Sequence, residues 1–163
     1  ATHRRTQNAI LEATKELIAT TGLKKMSMIE IADVSQVSRA TLYNHYRDKD
    51  SVLLALCESE LARLVEIAQN ASDATSALEQ ISLQVSSDPA LAAMRVQDPD
   101  LLTLALSKQD DNLWKAFSIA LAHLLGEGKS ALALRWLLGQ ALHPINEQQS
   151  RAQAEAITGI ANL

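Results

Sequence analysis

SQVSRATLYNHYRDKD, residues 35–50, holds both tyrosines of the chain, Tyr43 and Tyr46, beside Arg39, Thr41, Asn44, His45, Arg47 and Lys49. Only five of the 163 residues are aromatic, and a core would normally claim them. Their place among hydrogen-bond donors points to a partner outside the chain. Ser38 reads as an N-cap that opens a helix through about Tyr46. Just upstream, Ser27 and Glu30 of MSMIEIADV fit the S-x-x-E capping box, so a short helix starts at Met28 and ends near Ser35–Gln36. Two short helices separated by Ser35-Gln36-Val37-Ser38 form the helix-turn-helix pattern. This turn has no glycine, although many such turns use one for a positive φ at the position of Gln36.

The flanks continue the helical pattern. In residues 4–20, Ile10, Leu11, Ala13, Thr14, Leu17 and Ile18 fall mostly on one helical face, and Gly22 reads as the stop. Asp48 opens a longer helix with Leu53, Leu56, Glu60, Leu64 and Ala68 on one stripe. Further helices are expected over Asp73–Val85, after Asp88-Pro89 and Asp98-Pro99, and over Asp110–Leu125, Ala131–Leu142 and about Glu147–Asn162. Asp110–Leu125 and Ala131–Leu142 are apolar nearly all round and must be covered on every side.

The totals narrow the function classes. Hydrophobic residues make up 47 %, with five Gly and three Pro, which argues against an all-β chain full of tight turns. Cys57 is the only cysteine, so no internal disulfide marks an oxidising compartment. No stretch has the length of a membrane span and the first residues are not a signal peptide; a cytoplasmic location and no membrane partner are expected. The net charge of −4 divides unevenly. Residues 1–57 carry eight Lys/Arg and six Asp/Glu, the rest seven and thirteen. His3, His45, His123 and His143 show no metal spacing with one another or with Cys57. No nucleophile–base set or phosphate-cradling glycine loop stands out, so neither an enzyme nor a cofactor is expected.

A helix beginning at Arg39 has the size to enter a DNA major groove with its N-terminal residues at the base edges. Arg39 suits a bidentate bond to guanine, Ala40 allows close approach, and Asn44 suits adenine. Leu42 points inward, toward Ile31 and Val37. Thr41, Tyr43, His45 and Lys49 are suited to phosphate, which sets the register of a reader on its duplex. Ser27 at its helix start can serve a further phosphate. His3, Arg4 and Arg5 can touch phosphate or the minor groove.

About residues 7–57 resemble the tetracycline-repressor (TetR) family of bacterial regulators. ILEATKELIATTGLKKMSMIEIAD is similar to the family's first helix, its glycine and the first helix of the reading motif. VSRATLYNHYRDKDSVLLAL is similar to the reading helix and the lysine that follows it. The departures are Gln36 for the common Gly and Tyr46 for the common Phe. The resemblance places Thr41, Tyr43, His45 and Lys49 at phosphate positions and Arg39, Ala40 and Asn44 at positions that vary with the operator. It implies an all-α fold of about nine helices. A three-helix helix-turn-helix DNA-binding domain, residues 1–48, would precede a helical effector-binding and dimerisation domain, residues 49–163.

It further implies a repressor that binds a near-palindromic operator as a homodimer and is released by a small-molecule effector. The dimer would form through the last two helices, with Leu134, Leu138, Gly139, Leu142, Ala156, Ile157 and Ile160 as candidates. Gly139, Ala156 and Gly159 would allow close helix approach. Met94, Arg95, Trp114, Phe117, His123 and Trp136 are the candidates by chemistry for an effector pocket. The excess acid of this half mildly favours a cationic effector, although Asp73, Asp88, Asp98 and Asp110 are explained by helix starts. An alternative from another class is a helical protein-interaction module with secondary DNA binding.

Overall fold

The structure, a computed structural model, describes residues 1–108 and 112–161. Among these are ten α-helices, where about nine were expected, and no strands. They are α1 (Thr2–Thr20), α2 (Met28–Ser35), α3 (Arg39–His45), α4 (Lys49–Asn70), α5 (Ala74–Ser87), α6 (Pro89–Gln97), α7 (Pro99–Ser107), α8 (Asn112–Leu125), α9 (Glu127–Leu142) and α10 (Glu147–Gly159). The expected cap Asp110 and helix end Asn162 lie outside the described residues.

The helices gather into two compact units, one of residues 1–59 with 89–102, the other of residues 60–88 with the rest of the chain from Thr103. In the first, Ile10, Leu17 and Ile18 of α1 meet Ile31 and Ala32 of α2, Leu42 of α3, and Val52 and Leu56 of α4. Ala90 and Met94 of α6 pack against the same cluster. The α1–α2 turn is made by Gly22, whose φ of +100° puts it in the left-handed region that glycine tolerates best. A Cβ there would also collide with the Gln97 side chain.

In the second unit, Leu78 and Ile81 of α5, Phe117 and Leu121 of α8, Ala133 and Leu137 of α9, and Ala154 and Ile157 of α10 form the core. A buried polar cluster crosses it. The Ser82 and Ser86 hydroxyls both donate to Gln140 Oε1, at 2.6 and 2.8 Å. The Ser82 and Ser150 hydroxyls lie 2.7 Å apart, and the Ile145 N–H donates to Ser86 Oγ at 3.1 Å. Such bonds fix the register of α5, α9 and α10 more sharply than apolar packing alone.

Candidate nucleic-acid interface

Local chemistry sets the two short helices. Ser27 Oγ accepts from the Glu30 N–H while the Glu30 carboxylate accepts from the Ser27 N–H at 2.8 Å, a complete capping box. Gln36 ends α2 with φ 58° and ψ 31°, so the turn takes the left-handed conformation without glycine. Ser38 Oγ then accepts from the Thr41 N–H at 3.1 Å and starts α3.

Burial orients α3. Leu42 is fully buried and Tyr46, its C-cap, is 9 % exposed. Arg39, Ala40, Tyr43 and Asn44 are exposed. Positions 39 and 43, and likewise 40 and 44, are one turn apart, so these four share the outward face. The three residues expected to read bases therefore stand together with one of those expected at phosphate.

The other phosphate candidates have partners of their own. The Thr41 hydroxyl lies 2.8 Å from Ser38 Oγ. The Ser27 hydroxyl donates to Glu30 Oε2 at 3.0 Å. Lys49 Nζ donates to the Lys24 carbonyl at 3.3 Å, which holds its ammonium against the α1–α2 turn. His45 stacks on His3, with ring centroids 4.3 Å apart and planes at 25°. Arg47 Nε donates to Asp48 Oδ2 at 3.3 Å. Asp48 also accepts from the Ser51 hydroxyl and N–H, at 2.7 and 2.8 Å. These bonds, the hydroxyl first, hold its carboxyl below the usual range against the opposing effect of desolvation.

Residues 2–5 are helical. An α-helix with its side chains is about 10–12 Å across, wider than a minor groove of about 6 Å. An extended arm lying in that groove is therefore not the form this segment takes.

Two contacts to the α1–α2 turn had no signal in the sequence, where Asp98 reads as a helix start. Its carboxylate, almost fully buried, accepts from the Leu23 N–H at 3.1 Å, across 75 positions of chain. Lys24 Nζ donates to Asp100 at 3.1 and 3.2 Å, and that bond leads the causes that hold the Asp100 carboxyl below its ordinary range.

The six effector-pocket candidates divide between the units. Met94 and Arg95 lie on α6 in the first, and Trp114, Phe117, His123 and Trp136 in the second. Phe117 is core, Trp114 packs against that core, and His123 is exposed. Trp136 Nε1 donates to Gln153 Oε1 at 2.6 Å. A surface depression of about 460 Å³ is lined by Thr20, Thr21, Gly22, Lys24, Lys25, Gln97 and Asp98, and another of about 290 Å³ by Arg63, Glu66, Ile67, Asn70, Ala71, Ser72 and Gln80. None of the six lines either one.

Of the dimer candidates, Gly139, Leu142 and Ala156 are exposed, Leu134, Leu138 and Ile160 are half-buried, and Ile157 belongs to the core. Ala152 and Gly159 of α10 are exposed as well. Among the described residues no three His, Cys, Asp or Glu are grouped to hold a metal ion, and no helix is long and apolar enough to cross a membrane.

Residues 10–56 match the family model of bacterial regulatory proteins, tetR family. More than nine-tenths of the chain shares its fold with regulators of known structure. It is similar to the TetR family repressor AlkX of Dietzia sp. strain DQ12-45-1b, implicated in biodegradation of n-alkanes, at 18 % identity and a TM-score of 0.67, over 91 % of this chain and 93 % of that one. It is similar to the dihydroxyacetone kinase operon activator DhaS, at 14 % identity and 0.67, over 94 % and 93 %. It is similar to the transcriptional regulator FadR of Bacillus subtilis in complex with stearoyl-CoA, at 17 % identity and 0.56, over 93 % and 97 %. No curated protein matches the sequence. Residues 10–56 thus carry a helix-turn-helix of the tetR-family type, on an all-helical fold shared with solved transcriptional regulators.

Proposed function

We propose that this chain, with a tetR-family reading motif on a transcriptional regulator's fold, is a cytoplasmic homodimer that represses transcription. It would bind a near-palindromic operator and be released by a small molecule. The observation that carries the reading is α3. Its buried Leu42 and the buried C-cap Tyr46 fasten it down, while Arg39, Ala40 and Asn44 project where a major groove can receive them. Tyr43 of that same face, with His45 and Lys49, would serve phosphates, and Thr41 and Ser27 would engage phosphate in exchange for their local hydrogen bonds.

The dimer reading is supported by Leu132, Gly139 and Leu142 of α9 and by Ala152, Ala156 and Gly159 of α10, all exposed in the single chain. Apolar and small side chains left wet on adjacent helices favour a helical partner. Repression is the reading taken from the family resemblance; DhaS, of similar fold, is an operon activator. The effector site would lie in the C-terminal unit, where Trp114 and Trp136 are half-buried aromatic rings and Trp136 donates to the Gln153 amide oxygen. The functional division is kept at residues 1–48 and 49–163.

Selection of a randomised duplex library on the purified chain, at two salt concentrations, tests this. An enriched palindrome is expected, with half-sites about one helical turn apart, roughly 34–36 Å, or offset from this. Weak, steeply salt-dependent binding without a consensus would overturn it and leave the protein-interaction module as the reading.

A further inference from the structure

We infer that His3 and His45 together form a two-imidazole clamp for one phosphate of the DNA backbone, an inference that rests on the DNA-binding reading above. The two rings come from opposite ends of the reading unit's sequence, His3 from the first turn of α1 and His45 from the last turn of α3. Their centroids lie 4.3 Å apart and their planes are within 25° of parallel. His3 is exposed and His45 half-buried, so part of each side chain is open to solvent. A neutral imidazole has one N–H donor and a protonated one has two, all in the ring plane. Near-parallel rings at this spacing are close enough for one N–H of each to reach the same anion, and a phosphate offers non-bridging oxygens to both.

The neighbouring charges leave this position to an anion. Among the described residues neither ring is paired with a carboxylate. The nearest acid in sequence, Asp48, is taken up by Ser51 and Arg47. Arg4 and Arg5, on the same turn as His3, are exposed. Two stacked imidazoles would suit a metal only with further ligands, and no such group occurs among the described residues. Stacking against His3 also limits the rotation of the His45 ring, so its N–H is held ready before DNA arrives.

The test uses the full chain, the duplex enriched by library selection and an unrelated duplex of the same length. His3→Ala is expected to weaken binding to both by about tenfold, the loss of one hydrogen bond to a charged acceptor. Base preference should stay unchanged. His3→Phe, which keeps a ring to stack but has no N–H, should bind as weakly as His3→Ala. Thermal melts should show both variants as stable as the wild type. Wild-type affinity in His3→Ala would overturn the clamp, and so would recovery of that affinity in His3→Phe, which would make His3 a spacer. A wild-type chain that binds neither duplex would overturn the DNA-binding reading and the clamp together, whereas wild-type binding with His3→Ala unaffected overturns the clamp alone.

Discussion

At Tyr46 the chain buries a phenol whose hydroxyl has no hydrogen-bond partner among the described residues. A buried polar group left unpaired costs about 1–3 kcal/mol. Tyr46→Phe keeps the ring and removes the hydroxyl, so it is expected to stabilise the protein within that range. A rise in urea midpoint at constant slope is the check. On the proposed reading, Arg39 meets a base edge and Lys49 a phosphate. Arg39→Ala should relax base preference at one position in each half-site. Lys49→Ala should weaken all duplexes alike and lower the salt slope by about one. A quantitative binding titration over salt and sequence decides; a change of base preference in Lys49→Ala but not in Arg39→Ala would reverse the two roles.

Helix starts and stops account for most of what was legible in the sequence. The Ser27–Glu30 box, the Ser38 cap and the positive φ at Gln36 rest on residues at most three apart, so their chemistry is written locally. The same is true of Asp73, which accepts from the Ser76 N–H at 2.8 Å. That bond, then the Ser76 hydroxyl, holds its carboxyl below the ordinary range. A lowered folded-state value means a contribution present above the unfolded value, about 3.9, and lost as pH falls through the folded one. Asp73→Asn keeps a good N-cap without the charge, so it is expected to soften the fall in melting temperature below about pH 4 and leave neutral pH nearly unchanged. The start of α9 was less legible. It begins at Glu127, ahead of the apolar run at Ala131, because Glu-Gly-Lys carries no hydrophobic period. The Asp98–Leu23 bond and the His3–His45 stack join distant positions and leave no local pattern. The division of the effector-pocket candidates between two units was hidden for the same reason.

For the molecule as a whole, stability and association should respond to different residues. Leu137 lies in the core, so Leu137→Ala should cost roughly 2–5 kcal/mol of folding stability. Leu142 is 40 % exposed in the single chain, so Leu142→Arg should leave folding nearly intact and reduce the sedimenting mass to that of one chain. An unchanged mass would remove α9 from the interface. The reading unit also draws on two separate lengths of chain. Ala90 and Met94 of α6 cover part of its core, and Asp98 accepts the Leu23 N–H. Recombination between related genes with a single crossover near residue 48 would pair this head with a foreign α6. Such a chimaera would lose the covering side chains unless residues 89–102 travelled with the head. Exchange of this head would thus call for two coordinated crossovers rather than one.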